Sequence, residues 1–159
     1  MHIDPVITFF RWLHVFTACM VIGAVIFMRL ILPAGLRDVD AETADGVFLR
    51  CRRALKFVVH AGILFFLISG IYNAISNWHW YKQWPAAAHS AFGVHVLCAL
   101  IAWVILLVFF AGSKPFGSYK TWTMVSLIVL ALVVAAGATL KSAREAVMKN
   151  STSTLPVAR

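Results

Sequence analysis

Residues 88–111 read AHSAFGVHVLCALIAWVILLVFFA, twenty-four positions without a single Asp, Glu, Lys or Arg. Coiled as an α-helix at ~1.5 Å of rise per residue, this stretch spans the ~30 Å hydrocarbon core of a bilayer. The helix also satisfies its backbone N–H and C=O groups internally, where no water can. Three further runs have the same character, at roughly 6–32, 54–76 and 121–140. Pro5 suits the first turn of the first run, and Pro33 with Gly35 is expected to close it. The second is expected to begin in water at about Glu42, to enter the membrane near Phe57 and to leave it near Ser76. A tight turn with Pro115 and Gly117 follows the third, and the fourth is expected to break at Leu140 into a polar tail.

The composition agrees with this. Hydrophobic residues make up 62% of the 159 and charged residues 13%, against about 25% charged in soluble domains. Such a chain cannot cover its apolar surface with polar side chains, so lipid is its solvent. The fold class is all-α: one domain, residues 1–159, forming an integral membrane bundle of four transmembrane helices. The first apolar run is too long for a signal peptide and no A-x-A-like site follows it, so it is expected to be a mature helix.

A formal charge of +8 raises the question of nucleic acid. The basic residues lie beside apolar runs, however, with no aromatic–basic interleaving on a soluble face. They are topology signals and interfacial anchors, with lipid as the partner and no nucleic acid. Arg29, Arg37, Arg50, Arg52, Arg53 and Lys56 crowd the first connection, and Lys114 and Lys120 the third. Arg11, Lys82, Lys141, Arg144, Lys149 and Arg159 oppose them, a balance of eight to six. The positive-inside rule then predicts cytoplasmic first and third connections and periplasmic termini in a bacterial inner (cytoplasmic) membrane. Trp78, Trp80, Tyr81 and Trp84 form an aromatic belt on the outer side. Cys19, Cys51 and Cys98 lack any C-x-x-C spacing and read as thiols without a disulfide or zinc role.

Ionisable residues inside a bilayer are costly and point to function. His14 lies about eight residues from the outer end of the first helix and His95 about seven from that of the third. These helices run parallel, so the two imidazoles share a depth. Two histidines at one depth on different helices suit the axial positions of a b-type haem iron. Small residues surround them: Ala18 near His14, Ala88, Ala91, Ala99 and Ala102 around His95, Gly70 on the second helix, and Ala135 to Ala138 with Gly137 on the fourth. Arg11 stands one turn outward from His14, placed to pair with a haem propionate, with Asn73 and Lys82 as further candidates. Taken singly, each histidine also reads as a hydrogen-bonded packing residue, and small residues are common at helix contacts anyway. His60 enters from the opposite side and reads as a structural or proton-handling residue, or as part of a second site. His79 and His89 are expected to be solvated at the outer interface, and His2 belongs to the terminus.

Arg11-Trp12-Leu13-His14, then Gly23 and Phe27-Met28-Arg29-Leu30, resemble the first helix of the HemJ-type membrane proteins. Arg52-Arg53 followed by Gly70 is similar to that family's second helix, and Leu32-Pro33-Ala34 is similar to the copper-resistance D (CopD) family. The likeness covers roughly Arg11 to Val108. It implies a four-helix haem-binding membrane protein of protoporphyrinogen oxidation, with a first-helix His and a third-helix Lys as functional residues. The His corresponds to His14. His95 stands at the Lys position, and Val21 where a Trp is expected, which departs from the oxidase pattern while keeping an axial ligand.

The expected function is therefore that of a membrane haem b protein with His14 and His95 on the iron. Its task would be electron transfer, linked to quinone or to partner redox subunits, or in a homo-oligomer. An oxidoreductase of the HemJ kind is one rival. Copper handling of the CopD kind, with Cys19, Met20, Met28, Cys98 and Met124 as soft ligands, is a second, and an accessory subunit without chemistry a third.

Overall fold

The computed structural model describes residues 4–84, 86–111 and 118–153. Four long helices account for nearly all of them: α1 (Pro5–Gly35), α2 (Ala41–Ser76), α3 (Ala86–Ala111) and α4 (Tyr119–Ser153), with one helical turn at Trp78–Tyr81. Each is long and apolar enough to cross a bilayer. The chain is a multi-pass membrane protein, an all-α bundle of four helices. Large apolar side chains point outward along them, Phe57 at 80% exposure and Ile75 at 70% among them, as lipid requires and water would not permit.

Local chemistry explains the starts. Asp4 accepts from the backbone N–H groups of Val6 and Ile7 at 2.8 and 3.2 Å, and Pro5 occupies the first helical position, where its missing N–H costs nothing. Asp40 caps α2 in the same way, accepting from the Thr43 N–H at 2.9 Å. As expected, α2 is already helical outside the apolar segment and ends at Ser76.

The structure departs from expectation at three places. Pro33 does not close α1, which continues to Gly35. Residues Phe27–Ile31 form a π-turn whose Leu32 N–H reaches back to the Phe27 carbonyl. The widened turn just before Pro33 lets the helix continue past a ring that cannot donate and that crowds the preceding turn. Nor does α4 break at Leu140. Falling hydropathy there marks the exit from lipid, not the end of the helix, because residues 141–149 hold neither Gly nor Pro and Lys141–Glu145 add an i,i+4 pair at 3.8 Å. Finally, Arg52 is not a solvated anchor. It is 3% exposed, its Nε donates to the Phe109 carbonyl at 2.5 Å, and its guanidinium lies 5.2 Å from the centre of the Phe109 ring. The third connection (112–117), His2 and the tail beyond 153 fall outside the described residues, as does the side chain of His79.

α1 packs chiefly on α2 and α3 on α4, giving two antiparallel pairs, joined by α2 against α3 and α1 against α4. The solid part of the core is off-centre. Val21, Val25, Val59, Ile63, Ala102, Leu106, Phe109, Phe110 and Leu130 fill the half nearer the basic first connection. The half nearer the aromatic residues is hollow, and the histidines stand at the boundary.

Candidate functional site

His14 lies nine residues into α1 and His95 nine residues into α3. Equal offsets on parallel helices give equal depth, and the rings meet with centroids 6.5 Å apart and planes inclined by 40°. Each ring is held by a polar contact from the neighbouring member of its own helix pair. His14 Nδ1 lies 2.9 Å from Ser69 Oγ, while that hydroxyl also sits 2.6 Å from the Phe65 carbonyl. A serine has one proton and a carbonyl can only accept. Ser69 therefore donates to Phe65 and accepts from His14, which must carry its proton on Nδ1. His95 Nδ1 lies 2.9 Å from the Val133 carbonyl, so it too is the protonated nitrogen. In these tautomers Nε2 is the ring nitrogen left with a lone pair.

Two glycines make these anchors reachable. Gly137, one turn beyond Val133, leaves that carbonyl open; a Cβ there would lie 3.4 Å from His95 Cε1. Gly70, beside Ser69, would place a Cβ 3.6 Å from His14 Cε1. The His14 ring also sits edge-on to Phe66, with centroids 5.0 Å apart. Two imidazoles this close, each with Nδ1 engaged, are of the residue type that could jointly hold a metal ion through the remaining ring nitrogens.

His14 borders two cavities. The larger, about 380 Å³, opens toward the aromatic end between Arg11, Asn73, Asn77, Trp84, Phe92 and Arg144. The smaller, about 50 Å³, lies toward the solid half and is lined by Ala99, Ala102 and Val133 among others. Among the described residues lining the larger one there is no Asp or Glu. Three residues of its lining carry a buried polar atom with no hydrogen-bond partner among the described residues: Asn73 Oδ1, Trp84 Nε1 and Arg144 Nε.

Of the expected site residues, the fold brings together His14, His95, Arg11, Gly70 and Asn73. Lys82 is exposed and does not line the cavity; Arg144, from the unforeseen extension of α4, stands there instead. His60 is separate, its Nδ1 bonded at 2.7 Å to the Lys56 carbonyl of its own helix. His89 is not solvated as expected: it is half-buried, stacks on Tyr81 at 4.4 Å and bonds the Tyr81 carbonyl at 2.8 Å. The soft donors are scattered, with Cys19, Met20 and Met124 exposed and Met28 in the core. Ser69 was legible as the hydroxyl next to Gly70 in an apolar run, whereas the Val133 carbonyl has no sequence signal.

Compared with known protein families, with curated proteins and with solved structures, the chain matches none.

Proposed function

We propose that the chain is a membrane electron-transfer protein that holds one haem b between His14 and His95. The observation that carries this reading is the pair of imidazoles 6.5 Å apart, each with Nδ1 committed to a hydrogen bond and Nε2 left to coordinate. Ser69 and the Val133 carbonyl fix ring orientation and raise the basicity of the coordinating nitrogen, the usual task of partners behind a ligand. Gly70 and Gly137 keep the space beside the rings clear. Arg11 and Asn73, at the mouth of the cavity, meet the propionates. When bound, the haem supplies a one-electron couple; the chain supplies ligands, orientation and a low-dielectric setting. The aromatic-end cavity gives a reductant or acceptor of quinone size an approach toward His14, and the site belongs on the periplasmic side of a bacterial inner membrane.

A reduced-minus-oxidised spectrum of the purified protein tests this directly. The wild type is expected to show a low-spin b-type signal, His14→Ala and His95→Ala to lose it, and His60→Ala to keep it. Absence of haem from the wild type, or an unchanged low-spin spectrum in His95→Ala, overturns the reading.

A further inference from the structure

At the mouth of the larger cavity two guanidinium groups converge on one neutral oxygen. Arg11 Nη2, from α1, lies 3.4 Å from Asn77 Oδ1, and Arg144 Nη1, from α4, lies 3.2 Å from the same atom. The amide cannot turn to relieve them, because its Nδ2 donates to the Asn73 carbonyl at 2.6 Å. Sharing one oxygen, the two cations are near enough to repel each other, and the described residues of the lining offer no carboxylate to compensate. Beside them the Arg144 Nε–H and the Trp84 Nε1–H are buried with no acceptor among the described residues. Two cations on one neutral acceptor have donors to spare, and each buried unmet donor costs about 1–3 kcal/mol, which an anion accepting from them would recover.

We infer that Arg11 and Arg144, braced on Asn77, form an oxyanion clamp for a carboxylate or phosphate carried by an amphiphile whose body enters the cavity. Guanidinium forks recognise both groups in the same planar geometry. The wall of Trp78, Tyr81 and Trp84 suits an apolar or aromatic body at headgroup depth. Two sources supply this chemistry: a tetrapyrrole propionate, in which case the clamp rests on the haem reading above, or the phosphate of an anionic lipid headgroup, with no choline to offset its charge, in which case it stands without it.

The test uses the full chain purified in neutral detergent, as wild type, Arg144→Gln and Arg11→Gln/Arg144→Gln. Iron protoporphyrin IX and its dimethyl ester are titrated against each; they share ring and iron but differ in carboxylate. In parallel, thermal unfolding is followed with added phosphatidylglycerol or phosphatidylcholine, which also shows that each variant is folded. If the source is a propionate, the wild type binds the diacid about tenfold or more tightly than the ester, and the double variant binds both alike. If it is a lipid, phosphatidylglycerol alone raises the wild-type midpoint and the double variant loses that rise. A wild type that binds neither porphyrin removes the haem reading and leaves the lipid arm to decide. Absence of both arginine-dependent effects overturns the clamp.

Discussion

Replacing Ser69 by Ala removes the acceptor that fixes the His14 tautomer while leaving both imidazoles in place. The serine is 0% exposed and 2.9 Å from His14 Nδ1, so water does not simply take over. Two routes give the size of the effect. An imidazole N–H left without its partner in a half-buried site costs about 1–3 kcal/mol. Loss of the group behind a metal ligand lowers affinity about 10–100-fold, which at about 1.4 kcal/mol per tenfold is about 1.4–2.8 kcal/mol. The two ranges coincide. The measurement is haem loss to an excess of a scavenging apoprotein, expected to speed up by that factor in Ser69→Ala. Ser126 is the matched control: it is 1% exposed and bonds the Trp122 carbonyl at 2.8 Å as Ser69 bonds that of Phe65, but it touches no imidazole. Equal rates of haem loss in Ser69→Ala and Ser126→Ala would refute the reasoning.

Arg11→Leu should lower the reduction potential of bound haem by tens of millivolts, because a nearby cation favours the reduced form; a unit charge at about 10 Å and an effective dielectric constant of about 20 is worth about 1.7 kcal/mol before screening. A redox titration checks it, and an unchanged potential assigns Arg11 to snorkelling alone. Gly62→Ala should destabilise the α1–α2 contact by about 1–3 kcal/mol, since its Cβ would come within 2.8 Å of Val21 Cγ2, a stiff side chain only 1% exposed. Gly23→Ala, with nothing within 4 Å, should do no harm, and thermal unfolding of the two variants compares them. An alkaline phosphatase fusion at Gly46 should be inactive and one at the C-terminus active; the reverse turns the topology over. The Asp40 carboxylate is held below its usual range because the Thr43 N–H favours its charged form. Its cap therefore acts fully above the ordinary value of about 4 and is lost as pH falls through the lowered one, which amide exchange at Thr43 would report.

Much of the fold lay open in the sequence because lipid demands uninterrupted apolar helices. The charge-free run at 88–111 allows little else, and offsets of about eight and seven residues suffice to place His14 and His95 at nearly one depth. What stayed hidden depends on the distinction between leaving lipid and leaving the helix. Lys141 and Arg144 look like a tail by hydropathy yet continue α4, so Arg144 reads only as a topology charge while Lys82, beside the aromatic residues in sequence, reads as the candidate for the site. Pro33 misled for a related reason: its missing N–H ends an ordinary helix, and only a π-turn, which apolar residues 27–31 do not announce, carries the chain past it. Arg52 reads as one of six basic residues in a connection, and only the fold shows the Phe109 carbonyl waiting for it.

The off-centre position of the paired imidazoles has an electrical consequence. Nine residues of helix separate each from the aromatic end, so they lie no more than about 14 Å into a ~30 Å dielectric. Carrying one elementary charge across the whole of that layer involves about 2.3 kcal/mol per 100 mV of membrane voltage. A charge arriving from the aromatic side crosses less than half of the voltage drop and meets about 1 kcal/mol, whereas one arriving from the basic side meets the larger remainder. Under the proposed function, exchange with a partner on the aromatic side would be the less voltage-sensitive route, and delivery from the opposite face would couple the site to the energised state of the membrane.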